Sequence, residues 1–298
     1  MQKTELSTLL VAIVSVLLAM ICIQSGASIA KQLFPVIGPQ GTTALRVGFS
    51  ALILWLVFRP WRHWPQGRQW QALIIYGGCL GGMNILFYMA IERIPLGVGV
   101  ALEFTGPLAV ALLSSRRKLD VLWVAFALAG VLLLMPDMRG ADALDPVGVM
   151  LALAAGGCWA GYILFGQKAG NLAPGGATVA LGMTIAALYL FPIGVVSAGA
   201  DLFQWQILPL ALLVAVMSSA LPYSLEMVAL KRLPSKNFSV LMSVEPAVAA
   251  MAGLLLLSEF LSLWQWLAIA MVITASLGSS LTKTTNKKAS GVAEEAKV

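Results

Sequence analysis

Apolar residues along this chain gather into ten runs of roughly 18 or more, each long enough for a helix to cross about 30 Å of hydrocarbon. Their approximate limits are 7 to 26, 41 to 58, 70 to 91, 97 to 115, 120 to 136, 146 to 165, 177 to 197, 206 to 227, 237 to 257 and 263 to 282. The segments between them are short and carry Pro, Gly or clustered charge, as in Phe34-Pro35 to Gly41, Pro60 to Gly67, Pro136 to Pro146 and Gly170 to Gly176. Such residues punctuate helices. The pattern therefore predicts an all-α polytopic membrane protein of ten transmembrane helices, with no room for a soluble domain.

Composition agrees and sets the orientation. Of 298 residues, 59% are hydrophobic and 11% charged, and the mean hydropathy is +0.89. Soluble proteins carry about 25% charged residues, so most of this surface must face lipid. With the N-terminus in the cytoplasm and the loops alternating sides, 15 of the 19 basic residues fall on the cytoplasmic side. This is the positive-inside pattern, and it predicts both termini in the cytoplasm. The net charge of +6 is accordingly an orientation signal and not a nucleic-acid footprint. The polar stretch 283–298 reads as a disordered cytoplasmic tail. Lys3 ahead of an apolar run, with Ala27-Ser28-Ile29-Ala30 beyond it, also fits a cleaved signal peptide; the repeat that follows speaks against that.

The second half of the chain echoes the first. At a shift of 136, Gly41-Thr42-Thr43-Ala44-Leu45 meets Ala177-Thr178-Val179-Ala180-Leu181 and Cys22 meets Cys158. At a shift of 139, Arg93 meets Arg232 and Pro107 meets Pro246. The units are 1–139 and 140–282, five helices each. Five is odd, so the second unit enters the membrane from the opposite face. Inverted repeats of this kind support alternating access in secondary transporters, whereas an intramembrane enzyme or other non-transporting protein needs no such symmetry.

Four ionisable residues fall inside the spans: Arg46, Glu103, Glu226 and Glu245. Each costs roughly 2.5 to 3.5 kcal/mol at the bilayer centre on insertion scales, so each needs a partner, a wet cavity or a function. Glu103 and Glu245 lie beside helix breakers, in Glu103-Phe104-Thr105-Gly106-Pro107 and Val244-Glu245-Pro246. Pro107 and Pro246 each free a carbonyl one turn earlier, which is tolerated at membrane depth only against protein or a wet cavity. The two carboxylates are expected to reach one cavity from opposite halves. Desolvation disfavours the charged form of a carboxylate, which suits such a group to carry a proton; pairing with a substrate ammonium, or with a neighbouring helix, is equally open.

Glu226 sits at the cytoplasmic end of its span, where pairing with Lys231 is also open. Asn84 has nearly the corresponding place in the third span. Arg46, near the outer end of the second, is expected either to snorkel or to contact a carboxylate at an external gate. Lys31, after the polar run Gln24 to Ser28, is a candidate for the outer vestibule. Phe87, Tyr88, Phe104, Trp159, Tyr162 and Tyr223 share the spans of these polar groups and are either packing residues or cavity lining. The pairs Gly77/Gly81, Gly78/Gly82 and Gly157/Gly161 predict close helix crossings. Cys22, Cys79 and Cys158 all lie in spans and read as small packing residues. His63 sits in a basic loop. No metal-ligand spacing, cofactor motif or nucleophile elbow occurs, so neither a cofactor nor an enzymatic activity is expected.

The string Val100-Ala101-Leu102-Glu103-Phe104-Thr105-Gly106-Pro107-Leu108, followed by Ser114-Ser115-Arg116-Arg117, resembles the fourth helix of amino-acid exporters of the drug/metabolite transporter superfamily, which carry two EamA domains. So do Gln24-Ser25-Gly26-Ala27-Ser28, Gly81-Gly82-Met83-Asn84, Ala220-Leu221-Pro222-Tyr223-Ser224-Leu225-Glu226-Met227 and Glu245-Pro246-Ala247. The resemblance implies an inner-membrane exporter of small amino acids such as threonine or homoserine, driven by proton antiport, with a cavity between the first, third, fourth, sixth, eighth and ninth helices. It carries over Glu103, Asn84, Tyr223, Glu226 and Glu245 as cavity residues. The expected partners are a small amino acid, protons and the lipid bilayer, in a monomer or homodimer. Export of other metabolites or drugs on the same fold is the alternative.

Overall fold

In a computed structural model, the described residues are all except 1, 63, 68, 114–117, 135–143, 171–174, 223–224, 226–228, 230–240 and 279–298. Among them the chain is helical and contains no strand. The helices are α1 (Gln2–Lys31), α2 (Phe34–Phe58), α3 (Gln69–Ile91), α4 (Leu96–Glu103), α5 (Thr105–Leu113), α6 (Lys118–Leu134), α7 (Pro146–Gly170), α8 (Gly175–Ala198), α9 (Leu208–Ala215), α10 (Glu245–Leu257) and α11 (Leu263–Gly278). Five are long and apolar enough to cross a membrane, and further shorter apolar helices accompany them. Large aliphatic side chains stand outward, with Leu56 74%, Leu188 71% and Leu255 73% exposed. A water-facing surface would not carry such residues so densely, so the protein is a multi-pass membrane protein.

Two boundaries differ from the sequence reading, and both matter for the site. The segment from Phe34-Pro35 to Gly41, expected to be a loop, is the first part of α2. Pro35 occupies the opening turn, where its missing N–H is harmless, and Gly38 takes φ 66°, so the helix bends there and continues. Arg46 consequently lies twelve residues from either end of α2, in the middle of the helix instead of near its outer end. The fourth span is broken where its proline predicts: α4 ends on Glu103, Phe104 makes a turn, and α5 begins at Thr105.

Helix neighbours form a regular pattern. α2 packs along α8, α3 along α7, α4 along α10, and α1 along α10 and the end of α9. Glycines set the closest approaches. A Cβ on Gly77 would strike Ile185 at 2.7 Å, and one on Gly161 would strike Cys79 Sγ at 2.7 Å. Gly78 and Gly157, expected at crossings, have nothing within 4 Å. The crossing of α7 with the broken fourth span is made by Gly156, whose Cβ would meet the Glu103 carbonyl oxygen at 2.7 Å, and by Gly106 opposite. That carbonyl is the one Pro107 leaves without its helical donor, so glycine lets a neighbouring backbone close over it.

Candidate functional site

A cavity of about 350 Å³ lies within the bundle, and residues from α1, α2, α3, α4, α7, α8, α10 and the turn Val216–Ala220 after α9 reach it. Its charged lining is Arg46, Glu103 and Glu245; its polar lining includes Gln24, Asn84, Ser218 and Ser219. The second and seventh spans contribute as well as the six expected, through Arg46 of α2 and Met183 of α8.

Glu103 and Glu245 are 7% and 5% exposed. Glu103 is the last residue of α4 and Glu245 the first of α10, so the two carboxylates enter the cavity from paired helix breaks in the two halves. The amino end of α10 is where the helix dipole favours negative charge. Gln24 Nε2 donates to Glu245 Oε1 at 3.0 Å, and Ser28 fixes that turn of α1 by donating to the Gln24 carbonyl at 2.9 Å. Glu103 is buried within the electrostatic reach of both Glu245 and Arg46.

Arg46 does not snorkel. It is 9% exposed, its guanidinium carbon lies 4.8 Å from the centre of the Tyr88 ring, and its Nε has no hydrogen-bond partner among the described residues. A guanidinium over an aromatic face is held by the ring's negative quadrupole and keeps its in-plane donors for other groups. Tyr88 is fixed in turn, packed at 5.7 Å against Phe34 and buried against Ser218. The site therefore holds one fixed cation among two carboxylates, in a volume that admits a small zwitterion.

Other candidates are distributed as follows. Asn84 lines the cavity, and its Nδ2 donates to Leu80 of its own helix at 2.7 Å. Phe87, Tyr88, Trp159 and Tyr162 are lining. Phe104 is not: it packs edge-on against Trp159, with ring centres 5.3 Å apart. Pro107 and Pro246 shape the backbone from outside the lining. Lys31 is not in the lining either; it pairs with Glu259 in the turn after α10. Cys22, Cys79 and Cys158 are half-buried free thiols. Tyr223 and Glu226 lie outside the described residues.

Ser218 and Ser219 were not singled out from the sequence. They sit on Val216–Ala220, where α9 widens into a π-helical turn, and Ser219 Oγ is 2.8 Å from Ser50 Oγ. The only trace of them in the sequence is a pair of small polar residues inside an apolar run, which is common in transmembrane helices and says nothing of a π turn.

Comparison with known proteins bears on the same residues' setting. The EamA-like transporter family matches residues 146–281. The chain is 54% identical over 270 residues, 91% of each chain, to the threonine/homoserine exporter RhtA of Salmonella typhimurium (strain LT2), and 53% identical over the same lengths to that of Escherichia coli (strain K12). An uncharacterized transporter of Bacillus subtilis, YwfM, is 27% identical over 80% of this chain and 82% of its own. A crystal structure at 16% identity shares the fold, with a TM-score of 0.58 over 93% of this chain and 97% of the other. Relatives this similar along nine tenths of the chain are transporters and not enzymes, and the chain belongs to the EamA-like transporter family, within the drug/metabolite transporter superfamily.

Proposed function

We propose that this protein exports a small amino acid, with threonine and homoserine as the first candidates, from the cytoplasm across the bacterial inner membrane in exchange for protons. One observation carries the reading: Arg46, Glu103 and Glu245 are buried together around one cavity. A zwitterion needs both signs of charge, and a buried set without cargo is costly to maintain for packing alone. In this scheme the Arg46 guanidinium holds the carboxylate of the amino acid and a carboxylate of the Glu103 and Glu245 pair holds its ammonium. A proton on that carboxylate removes its charge and with it the hold on the ammonium. Proton and cargo then exclude one another at one site, which is the requirement for antiport.

The scheme places ten membrane helices in two inverted five-helix units, 1–139 and 140–282, with both termini cytoplasmic. The packing pattern supports it. Exchanging the halves turns the α1 with α9 contact into α7 with α3, α1 with α10 into α7 with α4, and α2 with α9 into α8 with α3, and each of these contacts is present. The family match on 146–281 covers almost all of the second unit. The names of the relatives support the cargo.

The test uses purified full-length protein in liposomes. Labelled threonine or homoserine should exchange across the membrane, and an outwardly directed amino-acid gradient should drive protons the other way, read by an entrapped pH dye. Amino-acid movement without any proton signal overturns the antiport; absence of movement for both amino acids overturns the cargo.

A further inference from the structure

We infer that Ser218 and Ser219, on the π-helical turn after α9, form the subsite that recognises a hydroxyl group on the cargo's side chain. This rests on the amino-acid reading above and deepens it, from any small zwitterion to one bearing a hydroxyl.

The placement follows from backbone geometry. In a regular α-helix, neighbouring residues point about 100° apart, so two successive serines do not share one cavity well. A π turn inserts a residue into the helical repeat and is a feature associated with functional sites. Here it occupies Val216–Ala220, and both Ser218 and Ser219 line the cavity that holds Arg46, Glu103 and Glu245. They are 9% and 1% exposed, which leaves bulk water no access to their hydroxyls.

Their surroundings keep the hydroxyls in position. Gly26 of α1 gives Ser218 its room, since a Cβ at Gly26 would come within 2.6 Å of Ser218 Oγ. Ser219 is paired with Ser50 of α2 at 2.8 Å. Ser50 lies four residues beyond Arg46, on the same face of α2. The backbone of Ser50 therefore stands about 6 Å along the helix axis from that of Arg46, the residue assigned to the cargo's carboxylate. Arg46, Ser218 and Ser219 line one cavity, so a four-carbon amino acid whose carboxylate sits at Arg46 can extend its side chain toward the serines. A hydroxyl there both donates and accepts, so it joins the serines without leaving a buried polar group unmatched. An aliphatic side chain of the same length leaves the buried Ser218 hydroxyl, which has no hydrogen-bond partner among the described residues, unmatched, which is the costly case.

The test compares export of homoserine with that of 2-aminobutyrate, which has the same carbon chain and no hydroxyl. The wild-type protein should prefer homoserine. Ser218→Ala and Ser219→Ala, made singly, should lower the homoserine to 2-aminobutyrate ratio of export roughly tenfold while 2-aminobutyrate export persists. Ser219→Thr, which keeps a hydroxyl, should hold the ratio near the wild-type value. A ratio unchanged in both alanine variants, or export of the two amino acids falling in parallel, overturns the assignment. Wild-type protein that exports neither amino acid overturns the underlying reading, and the serine assignment with it.

Discussion

Lys31, the last residue of α1, forms an ion pair with Glu259, and the second carboxylate oxygen of Glu259 accepts the backbone N–H of Leu96 at 2.7 Å. One side chain thus ties the end of α1, the start of α4 and the turn between α10 and α11. It does so beside an apolar cluster of Ala27, Ala30, Phe34, Tyr88, Leu96 and Val100. The two charged side chains are only 17% and 16% exposed. Removing one partner strands the other and frees the Leu96 donor, so Glu259→Ala should cost about 2 to 3 kcal/mol. Thermal unfolding of the detergent-solubilised protein should show a lower midpoint for Glu259→Ala. The pairing energy itself should emerge from a double-mutant cycle with Lys31→Met; midpoints that add without any coupling term would count against a working pair.

Glu103 and Glu245 differ in their partners, and this gives separate expectations. Gln24 holds Glu245 Oε1 by a hydrogen bond that a glutamine at 245 can also accept. Glu245→Gln should therefore keep its fold and some export. Glu103 has Arg46 and Glu245 as its electrostatic neighbours, so Glu103→Gln removes a group whose charge the cavity senses directly. Export by Glu103→Gln should lose its dependence on pH, because an amide at 103 cannot take up and release the exchanged proton. If both variants export with the wild-type pH profile, neither carboxylate carries the proton.

Arg46 offers a sharper test of the site's geometry. Lysine keeps the charge but not the planar fork or the stacking on an aromatic ring. With the guanidinium 4.8 Å above Tyr88, Arg46→Lys should raise KM for the amino acid about tenfold or more, which corresponds to about 1.4 kcal/mol of lost contact. Tyr88→Phe keeps the ring face and should change KM far less than Arg46→Lys. Equal effects of the two substitutions would argue that the stacked arrangement does not matter.

What could be read in the sequence followed from chemistry that is visible one residue at a time. Apolar runs give membrane helices, and a Glu beside a Pro inside such a run flags a broken helix with a charge to house, as found at Glu103 and Glu245. Arg46 is visible in the sequence as a charge, but its place at the middle of its helix is not. Pro35, Gly38 and Pro39 look like a loop, yet the helix absorbs them with one positive-φ glycine, so its start shifts and Arg46 moves to the centre. The π turn had no sequence mark at all, because it depends on how α9 packs against α1 and α2. The link between Gln24 and Glu245 spans 221 positions, and a contact of that range follows from the arrangement of the two halves, not from local pattern.

Small residues under Glu103 provide a stability prediction with its own control. Gly106 and Gly156 face each other where α5 meets α7, and a Cβ on Gly106 would run into the Gly156 carbonyl. Backbone cannot move aside as a side chain does, so Gly106→Ala must push α7 away from Glu103. We expect a loss of about 1 to 3 kcal/mol from overpacking, together with loss of export. Gly157, the next residue along α7 from Gly156, has nothing within 4 Å of a built Cβ, and Gly157→Ala should be tolerated or slightly stabilising through helix propensity. Thermal midpoints and export for the two variants decide this; similar behaviour of both would remove the crossing as the cause.

Where the end of α3 meets the start of α7, Arg93 Nη1 donates to Asp145 Oδ2 at 2.8 Å, and Asp145 Oδ1 accepts the Val147 N–H at 2.8 Å as α7 begins. The Arg93 hydrogen bond, followed by that backbone bond, holds the Asp145 carboxyl below its ordinary value. A carboxyl whose value is lowered on folding contributes stability at every pH above its unfolded value, about 3.9, and loses that contribution as pH falls toward the lower folded value. Asp145→Asn should therefore melt below the wild type by a constant margin at neutral and mildly acidic pH, and the margin should shrink only below about pH 4. Because both side chains are substantially exposed, salt should reduce the margin throughout. A margin that instead grows on acidification would show that the asparagine variant fails for a reason unrelated to this charge.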